Sequence, residues 1–292
     1  MALNTQVWVN QIKKNFYPEG DFILRTIDYT SFVETSKGCS PKLHIPSTGI
    51  DPAVLINNNT YPISKNLRED EDNEITLDKF ETENTIVRRP EALEYSFDML
   101  ESVIKQHRLT LQTATRRKAI HAIAPLKDTK DTPVINTTGE IFGERKRLSH
   151  IDILMLKERF DDALIPLNDR VLVLHPKHVS DLLYSDIKLF KDLTNLVDGT
   201  PFKFAGFAIY QFPYMPIYNT SNQKLPYDSK DSGTFASVAF QSDEVMRADG
   251  EVFMYSREND PEERGTIVGF DKRFICMPIR NKGIGAILSA SK

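Results

Sequence analysis

Two imidazoles stand three residues apart in the run His175, Pro176, Lys177, His178. On a helix that spacing puts both on one face, where they could share a divalent metal. Proline at a first helical position supports a second reading, in which His175 ends a strand, Pro176 opens the helix and no metal is involved. His107 and His121 lie on a segment of helical pattern and read as packed or half-exposed residues rather than catalysts. Cys39 and Cys276 have no CxxC spacing and no histidine close by in sequence, which argues against a disulfide framework, a zinc site and a thiolate nucleophile. Walker A, GxGxxG, GxSxG, HExxH and EF-hand patterns are all missing, so the commonest signatures of nucleotide, acyl-transfer and metal chemistry fail. The expectation is a protein that is not an enzyme and takes no cofactor.

Charge is the stronger signal. Over residues 68–83 eight acids (Glu69, Asp70, Glu71, Asp72, Glu74, Asp78, Glu81 and Glu83) face only Arg68 and Lys79. Three basic clusters stand elsewhere: Arg88 with Arg89, Arg116 with Arg117 and Lys118, and Arg145 with Lys146 and Arg147. An acidic ribbon and basic patches can meet between copies of one chain, and complementary potentials of that kind fix register and partner choice more than affinity. The plainer reading is a solvated acidic face and basic groups that serve solubility. The basic triplets are also compatible with weak contact to packaged nucleic acid.

The chain has 292 residues, 40% of them hydrophobic, with 37 Lys plus Arg against 41 Asp plus Glu and a formal net charge of -4. That is enough apolar material for a sizeable core, and it excludes disorder throughout. The acidic balance argues against a protein whose affinity rests on neutralising phosphates. The first twenty residues lack the apolar stretch of a signal peptide, and no run approaches the length of a membrane span. A reducing cytoplasm is the expected place of folding.

The elements that would position these groups follow from periodicity and breakers. Residues 1–50 combine a short helix over 6–16 with Pro18, Gly20, Gly38, Pro41, Pro46 and Gly49, and they carry Trp8, Phe16, Tyr17, Phe22, Phe32 and Val33. They read as an arm lying on a surface, its own or a neighbour's. Strand-like runs at 54–63 and 75–87, joined by a charged tip, predict a long hairpin too thin to bury a core. Pro90 opens a long helix that Pro125 stops, with Leu93, Phe97, Leu100, Ile104, Leu111 and Ala114 on one stripe. Ser149 and Asp152 form a capping box for the next helix, which ends before Pro166. Residues 170–174 read as a buried strand, Pro176 starts another helix, and residues 202–210 read as one strand. Strands at 235–240, 251–256, 266–270, 274–277 and 284–288 predict a closing antiparallel sheet, separated from the rest by a loop over 211–233. The fold class is α+β.

The runs GIDPAVLINNNTYPI (49–63), LDKFETENTIVRRPEALEYSFDMLESVIKQH (77–107) and DRVLVLHPKHVSDLL (169–183) resemble major capsid proteins of tailed bacteriophages with the Hong Kong 97-type fold. The element order agrees over nearly the whole chain. The resemblance implies an N-terminal arm at 1–50, an extended loop at 51–88 lying over an adjacent subunit, and a peripheral domain at 89–147 built on the spine helix. It further implies an axial domain at 148–234 and peripheral-domain strands at 235–292. In function it implies hexamers and pentamers forming an icosahedral head around double-stranded DNA, assembled in the host cytoplasm. The expected partners are a portal protein and a separate scaffolding protein, since the arm begins almost at Met1. No crosslink is expected from Lys65 or Lys79. The alternatives are an encapsulin-like shell around cargo enzymes and a soluble metal-dependent enzyme using His175 and His178.

Overall fold

The computed structural model describes residues 9–10, 12–13, 16–18, 20–34, 42–47, 71–88, 96–185, 202–231, 233–263 and 265–290. The expected long helix is present as α1 (Ser96–Ile123), 28 residues and about 42 Å long at 1.5 Å per residue. Its buried side runs through Ile104, His107, Leu111, Thr115, Ala119, Ile120 and Ile123. The stripe passes through Thr115 rather than Ala114, because 3.6 residues per turn carries it round the helix; the Thr115 hydroxyl donates to the Leu111 carbonyl at 2.9 Å. Leu93 lies outside the described residues, and Phe97 and Leu100 fall on α1. Past its end, the ammonium of Lys224 donates to the carbonyls of His121 and Ala124 at 2.9 and 2.5 Å, supplying donors that a helix terminus lacks.

A five-stranded sheet underlies α1. Its centre is the hairpin of β15 (Val245–Asp260) and β16 (Gly265–Pro278). β1 (Ile27–Asp28) runs parallel to β15, while β5 (Asp78–Glu81) and β6 (Thr85–Arg88) occupy successive stretches of the far edge of β16. Residues 266–277 thus form part of one continuous strand, not two. The charged turn after β15 is closed by Asp260, whose carboxylate accepts the backbone N–H of Glu262 at 2.8 Å.

The N-terminal segment settles on its own subunit in the parts described. Residues 9, 10, 12 and 13 are helical. Ile12 and Phe16 join Ile104, Leu111, Val252 and Phe270 in one apolar cluster. Asp21 pairs with Arg116 of α1. Arg247, buried on β15, donates to the carbonyls of Ile23 and Thr26 and to the Asp28 carboxylate.

A second sheet has seven strands. β10 (Arg170–Leu174) lies between β12 (Phe207–Gln211), parallel to it, and β14 (Thr234–Gln241), antiparallel. β11 (Phe202–Phe204) extends one side. On the other side come β17 (Ile284–Leu288) and β7 (Val134–Asn136), with β13 (Ile217–Tyr218) on the end of β14. The expectation of one closing sheet over 235–288 is corrected here: β14 and β17 belong with β10, and only β15 and β16 build the other sheet. The expected single strand over 202–210 is a tight hairpin. Ala205 and Gly206 both adopt positive φ, 51° and 86°, as a two-residue turn between twisted strands requires.

Helices α2 (His150–Asp162) and α3 (Pro176–Ser185) cover one face of this sheet. The capping box is formed as expected, with Ser149 and Asp152 satisfying each other's backbone donors. Leu172 and Leu174 point to the helices, and Val171 and Val173 to the opposite cluster with Ala119, Ile120 and Ile123 of α1 and Phe274 and Cys276 of β16. Burial on both faces explains the unbroken apolar run of β10, and the second cluster welds the two sheets together.

The predicted hairpin divides in two. β4 (Glu71–Thr76) pairs antiparallel with β3 (Lys42–Ser47), which in turn meets β2 (Val33–Glu34). A strand therefore stands at 42–47 within the segment read as an arm, Pro46 included. The rest, β5 and β6, lies on the subunit's own β16. The run at 54–63 and the tip residues Arg68, Glu69 and Asp70 lie outside the described residues.

Candidate assembly surfaces

The histidine pair is structural. His178 is buried, with Nδ1 2.6 Å from the Ser237 hydroxyl. His175 stacks on Phe235 with ring centroids 4.1 Å apart. Burial, then Lys177 and Arg145, lowers the His175 pKa to about 4; burial, then His175 and Arg145, lowers that of His178 to about 3. The two rings, 6.4 Å apart and steeply inclined, face β14 and not a common ligand. Among the described residues no group of three or more His, Cys, Asp or Glu is placed to hold a metal ion. His107 packs on Phe270, and His121 bonds the Leu225 carbonyl at 2.9 Å; burial lowers both pKa values. The Cys276 thiol is buried and pushed up to about 12, the wrong direction for a nucleophile. Cys39 lies outside the described residues.

The charged clusters separate into inward and outward groups. Arg116 is committed to Asp21. Arg145 grips Asp181 of α3 in a two-pronged pair at 2.6 and 2.8 Å, and Arg147 lies between the rings of Phe142 and Tyr184 at 4.2 and 3.8 Å. These three cations tie elements of the subunit together. Arg145 and Lys146 form β9, paired with β8 (Ile141–Phe142). Arg117 faces outward to Asp228 at 2.7 Å and to the Tyr227 ring, and Arg88 is exposed at the end of β6. Glu71 and Asp72 fall on β4, where the exposed Glu74 pairs with Lys42 at 2.6 Å. Arg89 lies outside the described residues.

Sequence reasoning missed the deepest cation. Arg170 is fully buried, donates to the carbonyls of Ile165 and Pro166 at 2.6 and 2.9 Å and pairs with Asp161 at 2.8 Å. It pins the loop between α2 and β10. Its only sequence signal is a charge at the head of an apolar strand.

Among the exposed large apolar groups of the described residues, three sets stand out. On α2, Ile151, Leu154 and Met155 form an i, i+3, i+4 stripe opposite the buried Ile153, Leu156 and Phe160. Phe142 and Tyr184 flank Arg147, with the exposed Ile141 next to Phe142 on β8. Phe253 and Tyr255, alternating with the buried Val252 and half-buried Met254, stand on the face of the five-stranded sheet turned away from α1. Clustered exposed apolar groups mark surfaces that meet other proteins. What these clustered groups offer chemically is contact area.

No family model matches the sequence, and no curated protein does. Solved structures do. The chain is similar to the capsid of cyanophage P-SCSP1u, with a TM-score of 0.61 at 13% identity over 92% of this chain and 87% of that one. It is similar to the capsid of the empty GTA particle, TM-score 0.63 at 11% identity, over 94% and 97%. It is also similar to the virus-like particle from Pyrococcus furiosus, TM-score 0.56 at 10% identity, over 98% and 100%. The spine helix across one sheet, the second sheet with its two helices and the paired ribbon thus make up a fold shared with these particle-forming subunits, and the chain has the Hong Kong 97-type fold.

Proposed function

We propose that the chain is a major capsid protein, self-assembling into the icosahedral head shell that encloses the double-stranded DNA of a tailed bacteriophage. The observation that carries this reading is likeness in fold to particle-forming subunits over nine-tenths of the chain and nearly as much of theirs. The exposed apolar groups on α2 and on the outer sheet face support it, because a shell subunit buries such surfaces against copies of itself through head-to-tail contacts that close into rings. The net charge of -4 fits a container that must not grip its contents tightly.

In this reading the subunits form hexamers and pentamers, a portal protein occupies one vertex, a separate scaffolding protein guides assembly, and contact with packaged DNA is weak. The segment 51–88 meets an adjacent subunit, with Glu71, Asp72 and Glu74 on β4 and Arg88 and Arg117 among the outward cations. The site of assembly is the bacterial host's cytoplasm. No described helix is long and apolar enough to cross a membrane.

Negative-stain microscopy of the purified protein, with and without a scaffold, tests this. Shells or capsomer rings are expected. A monodisperse monomer under every condition overturns the reading. Particles from infected or expressing cells that hold folded enzymes in place of nucleic acid would reassign the chain to a cargo-enclosing shell.

A further inference from the structure

The contact between α3 and β14 is built around an imidazole that has no room for a second proton. Nδ1 of the buried His178 lies 2.6 Å from the Ser237 Oγ, which also accepts the backbone N–H of His175 at 3.0 Å. The other ring nitrogen, Nε2, is buried without a hydrogen-bond partner among the described residues. A neutral ring tolerates this, because one nitrogen is enough to use the serine. An imidazolium donates from both nitrogens, and here the second N–H would meet no acceptor.

The charges around the ring oppose a proton as well. From β9 comes Arg145, whose guanidinium lies over Phe235 at 5.7 Å, with Arg147 just beyond it. Lys177 on α3 sits over the same ring at 5.1 Å, and His175 stacks on it. The carboxylate of Asp181, also on α3, is taken up by Arg145 and by the Leu148 backbone N–H at 3.1 Å. From β14 the ring meets Ser237 and Phe235.

We propose that His178 and Ser237 form an acid-operated clasp: protonated His178 is compatible only with α3 lifted from the sheet, so acidification frees α3 while the strands beneath stay paired. Lifting α3 uncovers Val179 and Leu182, which otherwise pack against the strands.

Burial holds both histidines below the ordinary value, to about 4 for His175 and about 3 for His178. Each therefore binds a proton more readily when α3 is free. The stability they confer is complete above about pH 6.5 and is lost as the pH falls through that value toward the folded ones. The opening constant should rise about tenfold per pH unit for each histidine that gains a proton on opening.

Hydrogen exchange of the full-length protein between pH 7.5 and 4.5, corrected for intrinsic exchange, provides the test. Residues 176–185 should open at least tenfold more at the acid end, with 170–174 unchanged. In the double variant His178→Phe with Ser237→Ala, which removes both polar partners, and in His178→Gln, which keeps an uncharged partner for Ser237, the acid response of 176–185 should fall by at least tenfold. An undiminished response in both variants, or none in the wild type, overturns the clasp. Histidine-selective NMR of the wild type gives a reading that needs no variant: a His178 titration midpoint above 6 in the folded protein also overturns it.

Discussion

In the seven-stranded sheet, β10 is buried along its whole length, with leucines toward α2 and α3 and valines toward the spine-helix end. In the β3–β4 ribbon the side chains are arranged otherwise: Leu43 is buried against Leu77, Met246 and Ala248, whereas Lys42 and Glu74 form an ion pair with both partners about half exposed. One region completes its core from its own residues. The other is anchored through Val33, Leu43 and Ile75, and a thin ribbon of that kind is marginal in water without something to lie on. The contrast separates what the subunit needs to fold from what it presents to others.

Substitutions can break or sharpen that contrast. Phe160→Ala in the sheet body should have the largest effect, about 3 to 5 kcal/mol in denaturant unfolding, because the ring is fully buried and meets Phe207 edge-on at 5.5 Å. Arg145→Ala should follow at about 3 kcal/mol, since it takes the two-pronged partner from the buried Asp181 carboxylate and leaves it Arg147 at 4.0 Å. If Arg145 instead serves contacts between copies, folding stability will hold and particle yield alone will fall. Glu74→Ala on the ribbon should change subunit stability by about 0.5 kcal/mol or less, and high salt should erase even that. Replacing residues 51–70 by a short Gly-Ser link should leave the unfolding temperature unaltered while abolishing shells in negative stain. Shells of normal yield from that variant would remove the role proposed for the loop between subunits.

Several elements were legible because their signals are local. The capping box at Ser149 and Asp152, the stop at Pro125, the start at Pro176 and the apolar period of α1 each depend on residues within a turn or two. Less legible were features whose partners lie far along the chain. Lys42–Ser47 carries Pro46 and sits among breakers, yet it is a strand because β4, some thirty residues on, pairs with it. Residues 202–210 carried a turn signal in Ala205 and Gly206 that was hidden by the apolar residues on either side. Arg116 and Arg145 were legible as charges, for other copies or for solubility, but their partners Asp21 and Asp181 lie far off in sequence.

From the sequence alone came the α+β class, the long spine, the compact region after residue 148, the want of enzymatic motifs and the likeness to a capsid family. Such properties follow from periodicity, caps and composition, which short-range sterics and burial dictate. Tertiary structure alone decided that β14 and β17 join β10 while β15 and β16 join β5 and β6, and that Arg170 and Arg247 hold buried loops in place. Strand partners and buried ion pairs depend on which distant groups the packed core brings within about 3 Å of each other, and no local stretch of sequence encodes that distance.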